Sequence, residues 1–200
     1  MCNGGDNMTY FPGINDDQFL RGDIPMTKQE VRILVLNKAK ICPTDIIIDI
    51  GAGTGSLSIE AALQAPQGKV YAIERHPEGA SLVRANATKF GVDNVEVISG
   101  IAPSALQNIP TADVIFIGGS GGHLHEILAQ SNSILKPNGR LIITAITIET
   151  LYEALHTMQA KPEFTVEAFG MQVTRIKHIK TSNMLQALNP IYIITSTKNV

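Results

Sequence analysis

Asp49-Ile50-Gly51-Ala52-Gly53-Thr54-Gly55 sets an acid and three glycines, spaced two apart, within seven residues. Glycines at this spacing let a chain turn tightly and let a ligand touch the main chain. Glu74 follows 19 residues beyond Gly55. At the end of the next strand, a carboxylate there accepts hydrogen bonds from both ribose hydroxyls of an adenosine. The dinucleotide fingerprint would place its third glycine at position 56, where this chain has Ser56. A pyrophosphate also favours open helix N-terminal amides with no acid beside them.

Asp49 suits a sulfonium and an α-amino group better than a pyrophosphate. A Gly-x-Gly-x-Gly loop preceded by an acid is the form seen in S-adenosylmethionine-dependent methyltransferases, which favours that cofactor over NAD. After the third strand, where such enzymes often carry an acid that reads the adenine amino group, stands Ile101. Adenine would then be held by backbone groups around Ala102.

At the substrate end, amide- and base-directed methyltransferases carry an Asn/Asp-Pro-Pro-aromatic run. This chain has Gly118-Gly119-Ser120-Gly121-Gly122 instead. Bare backbone there would let a broad ligand lie flat and offer several amides to an anion. Gly119, Ser120, Gly121 and Gly122 are therefore candidate substrate contacts. Arg175-Ile176-Lys177-His178-Ile179-Lys180 gathers three permanent cations, and Arg175 could grip a carboxylate with two parallel hydrogen bonds. His123 and His125, two apart on an expected helix, cannot share a face. The sequence carries no metal-ligand cluster and no Asp–His or Cys–His pairing fit for a general base.

These residues need a scaffold. Thr27-Lys28-Gln29-Glu30 reads as a capping box opening a helix that runs to about Lys40. Strands are expected over 46–50, 69–73, 95–98, 114–117 and 140–146, alternating with helices over 56–64, 77–90, 123–135 and 149–159. A short helical stretch falls at 103–108, Pro137-Asn138-Gly139 forms a turn, and two or three terminal strands lie near 164–173 and 190–197. The apolar runs lack alternation, which indicates a parallel sheet covered on both faces. The pattern describes an α/β, doubly wound, mostly parallel sheet with a C-terminal antiparallel hairpin. Residues 1–200 form one domain, with a loop-like segment over 1–28.

Composition narrows the class further. With 18 acids against 16 bases, the net charge of −2 argues against nucleic acid as partner. The longest apolar runs fall far short of the ~20 residues that span a bilayer. Met1–Asn15 lacks a basic region followed by an apolar stretch. Cys2 and Cys42 are too few for a disulfide framework and fit a reducing cytoplasm.

Gly13-Ile14-Asn15-Asp16-Asp17-Gln18-Phe19, Pro25-Met26-Thr27-Lys28-Gln29-Glu30-Val31-Arg32, Asp49 to Gly55, Gly118 to Gly122 with Leu124 to Leu128, and Thr144-Ala145 form one set. With these motifs the chain resembles the decarboxylating cobalt-precorrin-6B C15-methyltransferases of cobalamin biosynthesis, from about residue 13 to the last strand. Asn15 replaces a usual Pro and Ile101 the usual acid, and the C5-methylating domain fused in front in some relatives is not expected in this chain. The resemblance implies a class I, Rossmann-like methyltransferase and a homotetramer. Thr27, Gly51, Ala52, Gly53, Thr54, Gly55, Glu74 and Ala102 would contact S-adenosylmethionine. The substrate would be a cobalt-containing macrocycle with acetate and propionate arms. The methyl would go to C15, and the C12 acetate would leave as carbon dioxide. Two alternatives are another class I methyltransferase, acting on a small molecule or protein carboxylate, and a non-enzymatic module that binds adenosylmethionine or NAD.

Overall fold

A computed structural model describes residues 10–200; Cys2 lies outside the described residues. The elements in chain order are α1 (Gln29–Ala39), β1 (Ile46–Ile50), α2 (Ser56–Gln64), β2 (Lys69–Glu74), α3 (Pro77–Phe90), β3 (Val95–Ser99) and β4 (Ala112–Ile117). There follow α4 (Leu124–Ile134), β5 (Leu135–Ala145), α5 (Ile148–Gln159), β6 (Phe164–Met171), β7 (Thr174–Ile179), β8 (Ser182–Ala187) and β9 (Ile191–Lys198). Seven strands form one sheet in the order β3-β2-β1-β4-β5-β9-β6, while β7 and β8 pair apart from it. Neighbours from β3 through β5 are parallel. β9 runs antiparallel to both β5 and β6.

Side-chain alternation divides the core between the two faces of the sheet. Ile47, Val114, Phe116 and Ile142 pack with Val35, Leu36 and Ala61 of α1 and α2. Ile48, Ile115, Ile117 and Ile143 pack with Ile127, Leu128 and Met158 of α4 and α5. Consecutive strand residues point to opposite faces, so runs such as Ile46-Ile47-Ile48 must be apolar throughout.

Three expectations change. The capping box at Thr27 does not form: α1 starts at Gln29 after Lys28, with no side-chain cap. Asp16 supplies the cap from outside, accepting from Gln29 N–H at 2.9 Å. The 137–139 turn is an irregularity inside β5, because Leu135 already pairs with Ala112 before the register shifts to Arg140 opposite Val114. The C-terminal region holds four strands, with the basic stretch forming β7 of a separate hairpin.

The segment before α1 is loop-like yet firmly tied down. Arg32 on α1 is wholly buried. Its guanidinium donates to Glu60 at 2.6 Å, Thr27 C=O at 2.6 Å, Asp16 at 3.2 Å and Ile14 C=O. Glu60 also accepts from Gly13 N–H, Ile14 N–H and the Tyr10 hydroxyl. Asn86 on α3 clasps Leu20 through both backbone groups. These bonds lay Pro25-Met26-Thr27 beside the loop between β1 and α2.

Candidate active site

The strand order reverses between β1 and β4, and open α/β sheets bind ligands in the crevice that such a reversal leaves at the carboxyl ends of the strands. A cavity of about 370 Å³ occupies that place, within the size of ligand pockets, roughly 300–1,000 Å³. Gly51, Ala52 and Gly53 form one wall, Thr27 and its neighbours another, and Gly119, Ser120 and Gly121 a third. Glu74 and Ala102 also line it.

Gly53 must be glycine on two counts. Its φ is +59°, and an added Cβ would lie 2.7 Å from Pro25 C=O. Its N–H donates to Glu74 Oε2 at 2.8 Å, while His76 N–H donates to Oε1 at 2.8 Å. Glu74 is 5% exposed, so two backbone amides hold it in place. Each carboxylate oxygen keeps a further lone pair for a ligand.

Asp49, at the end of β1, is buried beneath the loop. Its Oδ2 accepts from the Ser58 hydroxyl. Burial pushes its carboxyl up to about 6; the Ser58 bond opposes that shift and the Glu74 charge adds to it. A cation arriving above the loop would favour the ionised form.

Some predicted contacts stand elsewhere. Thr54 is buried away from the cavity, its Oγ1 without a hydrogen-bond partner among the described residues. Gly55 opens α2 and packs on Val83, whose Cγ1 would meet an added Cβ at 2.9 Å. Gly122 lies beyond the wall formed by Gly119 to Gly121. Arg175 is not at the cavity: its guanidinium is paired with Glu30 at 2.9 Å and Asp16 at 3.2 Å. Both acids precede it by more than a hundred residues, so no local pattern marks the pairing.

Arg75 and His76, by contrast, line the cavity. An arginine directly after Glu74 is the available signal, yet such an arginine reads as the acid's own ion-pair partner. The structure gives Glu74 to backbone amides instead. Apolar Ile101 and Ile146, both more than half exposed, complete the rim.

Residues 18–198 match the family described as "Precorrin methyltransferase domain". The chain is 41% identical over 192 residues to the probable cobalt-precorrin-6B C(15)-methyltransferase (decarboxylating) of Sulfolobus acidocaldarius, covering 94% of this chain and 98% of that one. It is 37% identical over 186 residues to the cobalt-precorrin-6B C(15)-methyltransferase (decarboxylating) of Salmonella typhimurium, covering 92% and 96%. The crystal structure of precorrin-6y C5,15-methyltransferase from Geobacter metallireducens superposes with a TM-score of 0.89 at 37% identity, covering 94% of this chain and 100% of that one. An S-adenosylmethionine-dependent O-methyltransferase from Thermotoga maritima, 22% identical with a TM-score of 0.72, shares the fold. The sheet order, the glycine-walled crevice and these near full-length similarities agree: the chain belongs to the precorrin methyltransferase domain family.

Proposed function

We propose that this protein transfers a methyl group from S-adenosylmethionine to C15 of cobalt-precorrin-6B, with loss of the C12 acetate carboxyl as carbon dioxide, in cobalamin biosynthesis. The observation that carries the reading is Glu74, buried in the wall of the crevice beside Gly53, in a chain similar almost end to end to decarboxylating C15-methyltransferases. The crevice fits the cofactor by its donors and acceptors. Glu74 would take the ribose hydroxyls, the main chain of Gly51, Ala52 and Gly53 the methionine portion, and the main chain at Ala102 the adenine. Thr27 would close the wall opposite the loop, and Asp49 would lend negative charge from below. Thr54 and Gly55 would act on the cofactor through the shape of the loop.

Bound adenosylmethionine supplies an electrophilic methyl on a sulfonium whose charge disperses as that methyl leaves. The protein's work is to hold acceptor carbon and donor in line, an effect worth up to roughly 7–11 kcal/mol. Gly119, Ser120, Gly121 and Gly122 offer backbone to the macrocycle, and the apolar rim at Ile101 and Ile146 excludes water from its face. For decarboxylation, the C–C bond to the C12 carboxyl breaks, carbon dioxide leaves, the electron pair passes into the conjugated ring, and a proton taken up from water at the remaining exocyclic carbon completes the C12 methyl. The ring is the electron sink, so no side chain is assigned as general base.

A homotetramer belongs to the same reading, as does a cytoplasmic location. Support for assembly comes from the β7–β8 hairpin, which pairs apart from the main sheet and exposes Ile176, Met184 and Leu185. Among the described residues no helix is long and apolar enough to cross a membrane.

Incubation with cobalt-precorrin-6B and adenosylmethionine, followed by mass spectrometry, tests the reading. Gain of one methyl with loss of carbon dioxide is expected. An unchanged substrate mass would remove the assignment, and binding of NAD in preference to adenosylmethionine would point to a sensing module.

A further inference from the structure

Among the described residues, Arg75 is the one lysine or arginine that lines the cavity. It follows Glu74 at the exit of β2 and reaches across to the glycine run after β4. A Cβ built on Gly121 would lie 2.6 Å from its Nη1 and 3.3 Å from its Cζ. The guanidinium therefore rests on main chain that only glycine leaves bare, and Gly121 has φ +60° besides.

Its charge is uncommitted. Among the described residues Arg32, Lys38, Lys69, Lys136, Arg140 and Arg175 all sit in ion pairs, and Arg75 in none. Arg75 donates from Nε to His76 Nε2 at 3.1 Å. That bond orients the guanidinium plane and leaves both Nη groups to a ligand. An unpaired arginine at the mouth of a pocket, with its fork free, matches the geometry of a carboxylate.

We propose that Arg75 grips a carboxylate arm of the macrocycle, and that Gly121 is glycine so that the guanidinium can lie in place to do so. The inference rests on the functional reading above. Arg75, not Arg175, is then the cation that recognises the substrate, because the acids that hold Arg175 leave its charge spent. Adenosylmethionine also carries a carboxylate. That group ends a methionine chain extending away from the ribose that Glu74 would hold, whereas Arg75 is Glu74's immediate neighbour.

The test compares wild type with Arg75→Gln, Arg75→Lys and Gly121→Ala in three measurements. These are turnover at limiting cobalt-precorrin-6B, adenosylmethionine affinity by calorimetry, and binding of uroporphyrin, a polycarboxylated tetrapyrrole, by fluorescence. Arg75→Gln should raise KM and weaken porphyrin binding about ten- to a hundredfold, with adenosylmethionine affinity within about twofold of wild type. Arg75→Lys should recover only part of the loss, since an ammonium cannot make the paired bonds. Gly121→Ala should reproduce the loss without removing a charge. Wild-type KM and porphyrin binding in Arg75→Gln would overturn the proposal. A loss confined to adenosylmethionine affinity would overturn it too, giving the carboxylate to the cofactor. Weakened porphyrin binding in Arg75→Gln, beside a wild type that methylates nothing, would uphold Arg75 and reject the methyltransferase reading instead.

Discussion

Glu74 meets two demands with one carboxylate, fixing the glycine loop through Gly53 N–H and facing the crevice with its remaining lone pairs. Removing it should weaken adenosylmethionine binding about ten- to a hundredfold, the loss of charge-assisted hydrogen bonds worth roughly 1.5–3 kcal/mol. Calorimetry on Glu74→Gln checks this, and unchanged affinity would return Glu74 to a purely structural role. Asp49 makes a pH prediction. Its carboxyl is raised by burial to about 6, so the fold favours the neutral acid. That preference is fully present below about pH 4. It is lost as pH rises through about 6, at a cost on the order of 3 kcal/mol. Asp49→Asn should therefore gain thermal stability over wild type above pH 6 and not below pH 4, by calorimetric melting. Adenosylmethionine, a cation, prefers the ionised carboxylate, so wild-type affinity should rise from pH 5 to pH 7.5. In Asp49→Asn the rise should flatten.

At the scale of elements, the strap over residues 10–28 supplies the Thr27 wall of the crevice only because Arg32 gathers it onto α1 and α2. Arg32→Met would leave Glu60 buried without its counter-charge, at a cost of about 3–5 kcal/mol. The melting midpoint should fall accordingly, and adenosylmethionine affinity with it, because Pro25 and Thr27 lose their anchor. The half-exposed pairs of Arg175 with Asp16 and Glu30 are worth at most about 1 kcal/mol. Arg175→Ala should accordingly leave KM for the macrocycle unchanged in turnover assays. The sheet and the loop between β1 and α2 were legible in sequence, because buried apolar runs and glycine spacing are local signals. The capping box misled because the partner that caps α1, Asp16, comes from a neighbouring segment. β7 and β8 lie outside the expected strand ranges because nearly every residue in them is exposed, so burial imprints no alternation. Arg75 was illegible for another reason: the acid beside it is consumed by amides that only the folded loop brings near.

The whole molecule places these parts by one feature, the reversal of strand order between β1 and β4. The wall from the β1 and β2 exits and the glycine run from the β4 exit face each other across it. The β7–β8 hairpin, set apart from the main sheet, exposes apolar residues, and Leu185→Glu combined with Ile176→Glu should shift the proposed homotetramer to smaller species in light scattering. Equal mass for wild type and variant would relieve the hairpin of that role. The central claim, that one active site methylates C15 and removes the C12 carboxyl, is met most directly by carbon NMR of the product made with methyl-labelled adenosylmethionine. The account predicts a single enriched methyl on C15 and a methyl in place of the C12 acetate. Label at any other carbon, or an intact C12 acetate beside a labelled C15, would contradict it.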